Sequence, residues 1–444
     1  MAIITFGYDR DSIKTGIVHF GVGNFHRAHL EYYLNMLLED SSQRKWGVFG
    51  AMILPSDRKL YDALKKDGGI YDLTTCSPSG EKKVYRIGSL KSVCWGIQEP
   101  DIIIDRIASP ETKIVSLTIT EGGYMVDYDS VGTVFWYMAK GLERRMKTGV
   151  PITVLSCDNL QHNGDTARNA FSSYFRARYP EVAVWADENV TYPNSMVDRI
   201  TPAAESSKIT DVVCEDFIQW VIEDKFAAGR PLLENVGVQF TDDIFPYENM
   251  KLSLLNASHS LLCYPAYLEG YRKVDAVVSD WRYRSLIKNF MDIDVSPYVP
   301  EPDGVNLEEY KLSLLSRFSN KTISDQVARL CSDGIAKLKV YITPTLAKIL
   351  NDKKDSSRFA FLIASYCKYI MKGKTESGEK IEIFEPHITD EDKKIITAGS
   401  YMDFLALSPF KGLGLRNNMH FVAKYELFYS NNVAEGLDML IKNK

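Results

Sequence analysis

The chain has 444 residues, 45% of them hydrophobic and 25% charged, with a formal net charge of −5. That balance belongs to a globular protein with a sizeable core and room for two or three domains. The mixed charge argues against nucleic acid as a main partner, because phosphate binding asks for a concentrated basic surface, and no apolar run approaches the length of a membrane span.

Residues 16–23 (Gly-Ile-Val-His-Phe-Gly-Val-Gly) read as a short strand running into glycines, followed by helical spacing over 27–38. Further strands are predicted at 47–54, 113–120 and 152–157, with a helix at about 131–147 between the last two. Strands alternating with helices imply βαβ units and a mostly parallel sheet. Segments 71–75 and 82–87 look like antiparallel pieces inserted in that scheme. Near Pro246 the character changes, and helices are predicted at 247–271, 307–318, 323–332, 343–351 and 358–371, with a polar loop at 373–379. The organisation expected is an α/β nucleotide-binding domain over 1–245 and a mainly α-helical substrate and catalytic domain over 246–444, with the active site in the crevice between them.

The seven cysteines are scattered, odd in number and free of any Cys-x-x-Cys pair. They suit reduced, buried thiols in a cytoplasmic protein. They also disfavour a metal-dependent alcohol dehydrogenase, which needs clustered ligands. The opening hexapeptide reads as no secretory signal, and the last residues, Ile441-Lys442-Asn443-Lys444, as no targeting address.

Gly21-x-Gly23 follows a strand and opens a helix, where glycines let the backbone approach a pyrophosphate. The third glycine of the usual fingerprint would fall at His26. Asp57, beyond the second strand, either hydrogen-bonds the adenosine ribose, which favours NAD while leaving NADP open, or caps a helix. The stretch from Tyr247 to His259 is richer in chemistry. On a regular helix Glu248 and His259 fall almost on one line, with Lys251 and Asn256 flanking it inside about 140°. Leu252, Leu255 and Leu262 share that arc, so the polar groups sit in a face enclosed by apolar ones. A carboxylate, an amine, an amide and an imidazole suit alcohol oxidation: a desolvated amine takes the hydroxyl proton as hydride leaves, and amide donors hold the developing alkoxide. The alternative is the solvated face of an amphipathic helix.

Lys251-x-x-x-x-Asn256-x-x-His259 resembles the catalytic signature of the polyol-specific long-chain dehydrogenases, the mannitol 2-dehydrogenase and fructuronate reductase family. Four more blocks share the resemblance: Gly21-Val-Gly23-Asn24-Phe25-His26-Arg27-Ala-His29, Thr120-Glu121-Gly-Gly-Tyr124, Ser156-Cys-Asp158-Asn159, and the run from Asn194 to Pro202 that holds Asp198 and Arg199. It extends from about residue 16 to Asp333–Lys337 and more loosely to the end. The resemblance implies an α/β fold with an N-terminal Rossmann-like domain, a mainly helical C-terminal domain, no metal and a monomer. Gly21, Gly23, Asn24, Phe25, Asp57, Thr120 and Glu121 would hold NAD. Lys251 would be the general base, Asn159 and Asn256 would polarise the reacting oxygen, His259 would position substrate, and Glu248 would conduct the proton. Asp198, Arg329 and Lys337 would contact the outer hydroxyls, although Asp158-Asn159 also fits a strand-end turn and Asp198-Arg199 a plain ion pair. Three features depart from the family: a short segment between Tyr124 and Val134, Ile335 in place of a serine or threonine, and no proline after Lys337. The expected partner is a polyol or keto-sugar, mannitol/fructose first, with arabinitol, hexuronate and mannitol 1-phosphate as alternatives. A catalytically silent NAD-binding module is the non-enzymatic one.

Overall fold

The computed structural model describes residues 2–202 and 208–442, so the terminal Asn443 and Lys444 lie outside it. The chain forms two compact units, the first ending at Phe245 and the second beginning at Pro246.

The first unit is built on a six-stranded sheet of β1 (Thr15–Phe20), β2 (Gly47–Met52), β3 (Leu90–Trp95), β4 (Ile114–Leu117), β5 (Ile152–Ser156) and β6 (Val190–Thr191). All neighbours are parallel, in the order β3-β2-β1-β4-β5-β6. This is the Rossmann order, with helices covering both faces. Strands β1, β2, β4 and β5 are buried along their whole length, which is why they read as continuous apolar runs rather than alternating ones. Val18 and Phe20 face one core with Ile103, Phe135 and Phe171, whereas Ile17 faces the other with Leu34, Trp46 and Trp220. The strand order reverses between β1 and β4, and Phe20 is paired with Leu117 at that point. The segments leaving these two strand ends, Gly21–Gly23 and Thr118–Tyr124, therefore flank the crevice where such sheets take their ligands.

The inserted strands Tyr71–Cys76 and Lys82–Ile87 do pair antiparallel, and Ile3–Ile4 and Val212–Glu215 complete their sheet. A third sheet of Ser195–Asp198, Gln219–Glu223 and Gln239–Thr241 has no counterpart in the sequence reading. The helix expected over 27–38 is two helices, α1 (Asn24–Ala28) and α2 (Leu30–Leu37). They part at His29 (φ −112°, ψ −76°), whose Nε2 lies 2.9 Å from the Gln219 carbonyl oxygen. Helices Arg58–Lys66, Pro100–Ala108, Asn163–Arg178 and Pro180–Asn189 went unread. Two of them open on proline, which fits the first helical turn but resembles a loop signal in sequence.

The second unit is helical around one core that runs from Met250 to Leu440. Helices Leu307–Phe318 and Thr343–Asn351 have the predicted limits. The helix expected over 323–332 shrinks to Val327–Cys331, since Ser324 takes a left-handed φ of 42° that no α-helix accommodates. The long helix expected over 247–271 is three segments: Phe245–Met250, a π-helical stretch Lys251–Asn256, and Ala257–Leu268. The i→i+5 ladder takes up an extra residue. The 100° count that aligned Glu248 with His259 therefore fails across it.

Candidate active site

In the first unit the glycine loop is held from below. Gly21 sits at φ 94°, and a Cβ there would stand 2.0 Å from the Thr118 carbonyl oxygen, so only glycine fits. The Thr118 hydroxyl donates to the Gly21 carbonyl at 2.7 Å. Gly23 is the N-cap of α1 in extended conformation. Asn24 accepts from the Arg27 guanidinium at 2.7 Å, and the Phe25 ring stacks on His29 at 5.0 Å. His26, in place of a third glycine, lies flat against His19 of β1 with ring centroids 3.5 Å apart. His19, His26, Arg27 and His29 are all buried, and the sequence reading gave them no role. Three long polar side chains clustered in His26-Arg27-Ala28-His29, directly after the loop, were the available signal.

The second predicted cofactor segment is strained. Thr120 has φ 64° and ψ 170°, a region almost reserved for glycine. The Asp158 carboxylate holds it there, accepting from the Ile119 and Thr120 amides at 3.1 and 2.8 Å and from the Tyr124 hydroxyl at 2.7 Å. Burial pushes Asp158 up to about 6. Glu121 opens the short turn Glu121–Tyr124. Asp158 is thus a brace for this loop, and Asn159 follows it, half-buried, beyond the end of β5. The Asn163 amide donates to the carbonyls of Ser156, Asp158 and Ser195, tying this turn to the strand that ends at the buried Asp198. Arg199 donates to the Ala28 and Glu215 carbonyls at 2.6 and 3.0 Å. Asp57 does cap: its carboxylate accepts from the Leu54 amide at 2.9 Å.

In the second unit the chemistry gathers around the π-helical stretch. Such a bulge re-aims side chains and often marks a functional site. Glu248 and Lys251 are 2% and 7% exposed, which is unusual for charged residues and excludes a wet helix face at both. Asn256 closes the stretch with its Oδ1 buried and without a hydrogen-bond partner. A buried amide oxygen left unpaired costs on the order of 1–3 kcal/mol, a penalty a substrate hydroxyl would lift.

His259 follows one turn on, its ring 4.5 Å from that of Phe318. Burial, assisted by Arg329, Arg317 and Lys337, pushes its pKa down to about 3, with Asp325 opposing. The imidazole is therefore neutral at every working pH, and the sequence-predicted Arg329 and Lys337 do lie in its field. Arg317 is a further cation that sequence reasoning missed. Arg329 is held by Asp325, with Nε 2.9 Å from the carboxylate. The Lys337 ammonium donates to the Arg329 and Leu330 carbonyls at 3.3 and 3.2 Å, and burial lowers its pKa. The helix carrying Lys337, Gly334–Tyr341, starts after Asp333 at φ 57° and is capped by Glu385, which accepts from the Gly334 and Ile335 amides at 2.9 and 3.2 Å. Ile335, where the family has a serine or threonine, contributes only its backbone amide to that cap. Among the described residues no group of three or more His, Cys, Asp or Glu could hold a metal ion, and no helix is long and apolar enough to cross a membrane.

Residues 15–235 match the family described as the mannitol dehydrogenase Rossmann domain, and residues 243–431 the mannitol dehydrogenase C-terminal domain. The polyol:NADP oxidoreductase of Gluconobacter oxydans is 41% identical over 439 residues, covering 91% of this chain and 90% of that protein. A mannitol 2-dehydrogenase of Aspergillus fumigatus is 36% identical, covering 96% of this chain and 92% of the relative. Among solved structures, the Pseudomonas fluorescens mannitol 2-dehydrogenase, a ternary complex with NAD and D-mannitol, superposes with a TM-score of 0.91 at 35% identity, over 100% of this chain and 97% of that one. A substrate-free D-sorbitol dehydrogenase gives 0.87 at 38% identity, over 98% and 96%. With both of its domains matched and full-length relatives above 30% identity, the chain belongs to the mannitol dehydrogenase family.

Proposed function

We propose that this protein moves a hydride between NAD(H) and a polyol/keto-sugar pair, with mannitol/fructose the favoured pair and Lys251 the general base. The observation that carries the reading is a lysine only 7% exposed, on a π-helical turn that ends at an unpaired buried amide oxygen. The dinucleotide, when bound, supplies the hydride acceptor. The Gly21 cradle and the strained Thr120 segment at the switch point of the sheet suit its pyrophosphate. Lys251 takes the hydroxyl proton as the carbonyl forms, and Glu248, three residues earlier and buried, passes that proton on. Asn256 and Asn159 hydrogen-bond the reacting oxygen, and neutral His259 orients the neighbouring hydroxyls. Asp198, Arg329 and Lys337 bind the outer hydroxyls. NAD is favoured over NADP, although the relative from Gluconobacter oxydans is named for NADP. The protein is read as a cytoplasmic monomer.

The cations Arg317, Arg329 and Lys337 around His259 outnumber Asp325, which favours one further reading: an anionic sugar, hexuronate or mannitol 1-phosphate, as substrate. The deciding experiment is a panel of mannitol, arabinitol, sorbitol, hexuronates and mannitol 1-phosphate with both cofactors, followed at the nicotinamide absorbance. Lys251→Ala should lower turnover by roughly 10²–10⁴ with cofactor affinity within about twofold of the parent. A variant that turns over at the parent rate refutes the base assignment.

A further inference from the structure

Beneath the glycine loop runs a line of buried polar groups that the reaction itself does not use. It begins at the loop. His19 Nε2 lies 3.3 Å from the Gly21 carbonyl oxygen and 3.0 Å from Thr118 Oγ, while its Nδ1 lies 2.8 Å from Ser116 Oγ. Since the Thr118 hydroxyl already donates to Gly21, its oxygen must accept from His19. This fixes the Nε2–H tautomer, with Ser116 donating to Nδ1. The His26 ring lies face to face on His19 at 3.5 Å, and its Nε2 is 3.2 Å from Glu31 Oε1. That approach is not aligned as a hydrogen bond, and neither ring nitrogen of His26 has a hydrogen-bond partner. The Ser89 hydroxyl donates to the other oxygen of Glu31 in a short contact. His19, His26 and Glu31 are each 0% exposed.

We propose that His19, His26 and Glu31 are positioning residues for the cofactor: an uncharged stack linking the Gly21 carbonyl to Ser89, which holds the dinucleotide loop only while Glu31 keeps its proton. The proposal rests on the cofactor reading above. Its physical basis is the cost of a lone charge at zero exposure. Glu31 faces His26 of α1 and Ser89 before β3, with Arg10 and Tyr8 of the N-terminal segment and Tyr71 of the neighbouring strand near it. The Arg10 cation offsets burial only in part. Burial pushes Glu31 up to about 8, and it pushes His19 and His26 well below the usual imidazole range. At neutral pH all three are uncharged. Above about 8 a carboxylate forms 3.2 Å from His26 Nε2, and the otherwise unbonded ring turns to donate its N–H to that charge, out of its stack on His19. Displacing that ring releases His19, and with it the Gly21 carbonyl. The pyrophosphate brings its own negative charge to the same loop, so bound cofactor and ionised Glu31 oppose each other.

The test is NADH binding, read by nicotinamide fluorescence from pH 6.5 to 9.5 on the full chain, with thermal melts alongside. The dissociation constant of the parent should stay level to about pH 8 and rise several-fold by 9.5. Glu31→Gln, uncharged throughout, should keep a level profile from pH 6.5 to 9.5, whatever its affinity at pH 7. Ser89→Ala carries the test should Glu31→Gln fail to fold. Removing the donor that favours the carboxylate should move the rise to higher pH. A parent profile level to pH 9.5, or a Glu31→Gln profile rising like the parent's, overturns the proposal. Absence of binding to NADH and NADPH by the folded parent at pH 7 overturns both it and the cofactor reading. Binding with the parent's alkaline rise in every variant overturns the proposal alone.

Discussion

A histidine two turns on from a buried lysine invites an acid–base role, and the environment of His259 decides against one. With its pKa pushed to about 3 by burial and three cations, the ring carries no proton to give between pH 5 and 9. What the structure gives it is a neutral imidazole packed on Phe318. His259→Asn should therefore lower kcat/KM for polyol oxidation by roughly tenfold, about 1.4 kcal/mol, and leave the shape of its pH profile unchanged from pH 6 to 10. Loss of an inflection in that profile would assign the proton step to His259. Burial was only partly legible here. Interleaved leucines showed that Glu248 and Lys251 lie in an apolar setting, but Arg317 comes from another helix, and no local pattern could place it in the field of His259.

At the level of elements the decisive feature is the π-helical stretch Lys251–Asn256. A regular helix through these residues would rotate everything after it by about 100° relative to everything before it. Deleting Ser253, half-buried within the stretch, should return the ladder to i→i+4, leaving Asn256 and His259 in their present phase with Glu248 but removing the widened turn on which Lys251 sits. We expect turnover to fall by at least about 10², with far-ultraviolet circular dichroism retained. Retained activity would show that the bulge is incidental. The sequence reading placed a helix here correctly and missed its phase, because the hydrophobic pattern registers periodicity and a single extra residue leaves almost no trace in it. Similar limits apply to the break at His29, whose ring meets the distant Gln219 carbonyl, and to the truncated start of Val327–Cys331.

At the scale of the whole molecule each unit has its own core, two clusters flanking the sheet in the first and one in the second. Independent cores need not melt together. Calorimetry should give an enthalpy larger than the van't Hoff value. The sign of one pH effect follows from Glu31. Its folded pKa of about 8 lies above the ordinary carboxylate value of 4.5, so between these values the folded protein holds a proton the unfolded chain has lost. Stability is present at acid pH and falls as pH rises towards 8. Glu31→Gln should flatten that decline between pH 6 and 9 for one transition and leave the other unmoved. Equal movement of both would mean a single cooperative unit.

The sequence by itself determined the parallel sheet, the glycine loop after β1, the inserted antiparallel pair and the helical character after Pro246. Each is written in residues close together in the chain: continuous apolar strands, paired glycines, recurring leucines. Only the tertiary structure decided that His26 replaces a glycine by stacking on His19, that Asp57 caps while Asp158 braces, that Glu385 caps the helix bearing Lys337, and that a π-helical turn sets the face of the lysine. These depend on burial and on partners remote in sequence, and a titratable group acquires its working character from those surroundings rather than from its neighbours along the chain.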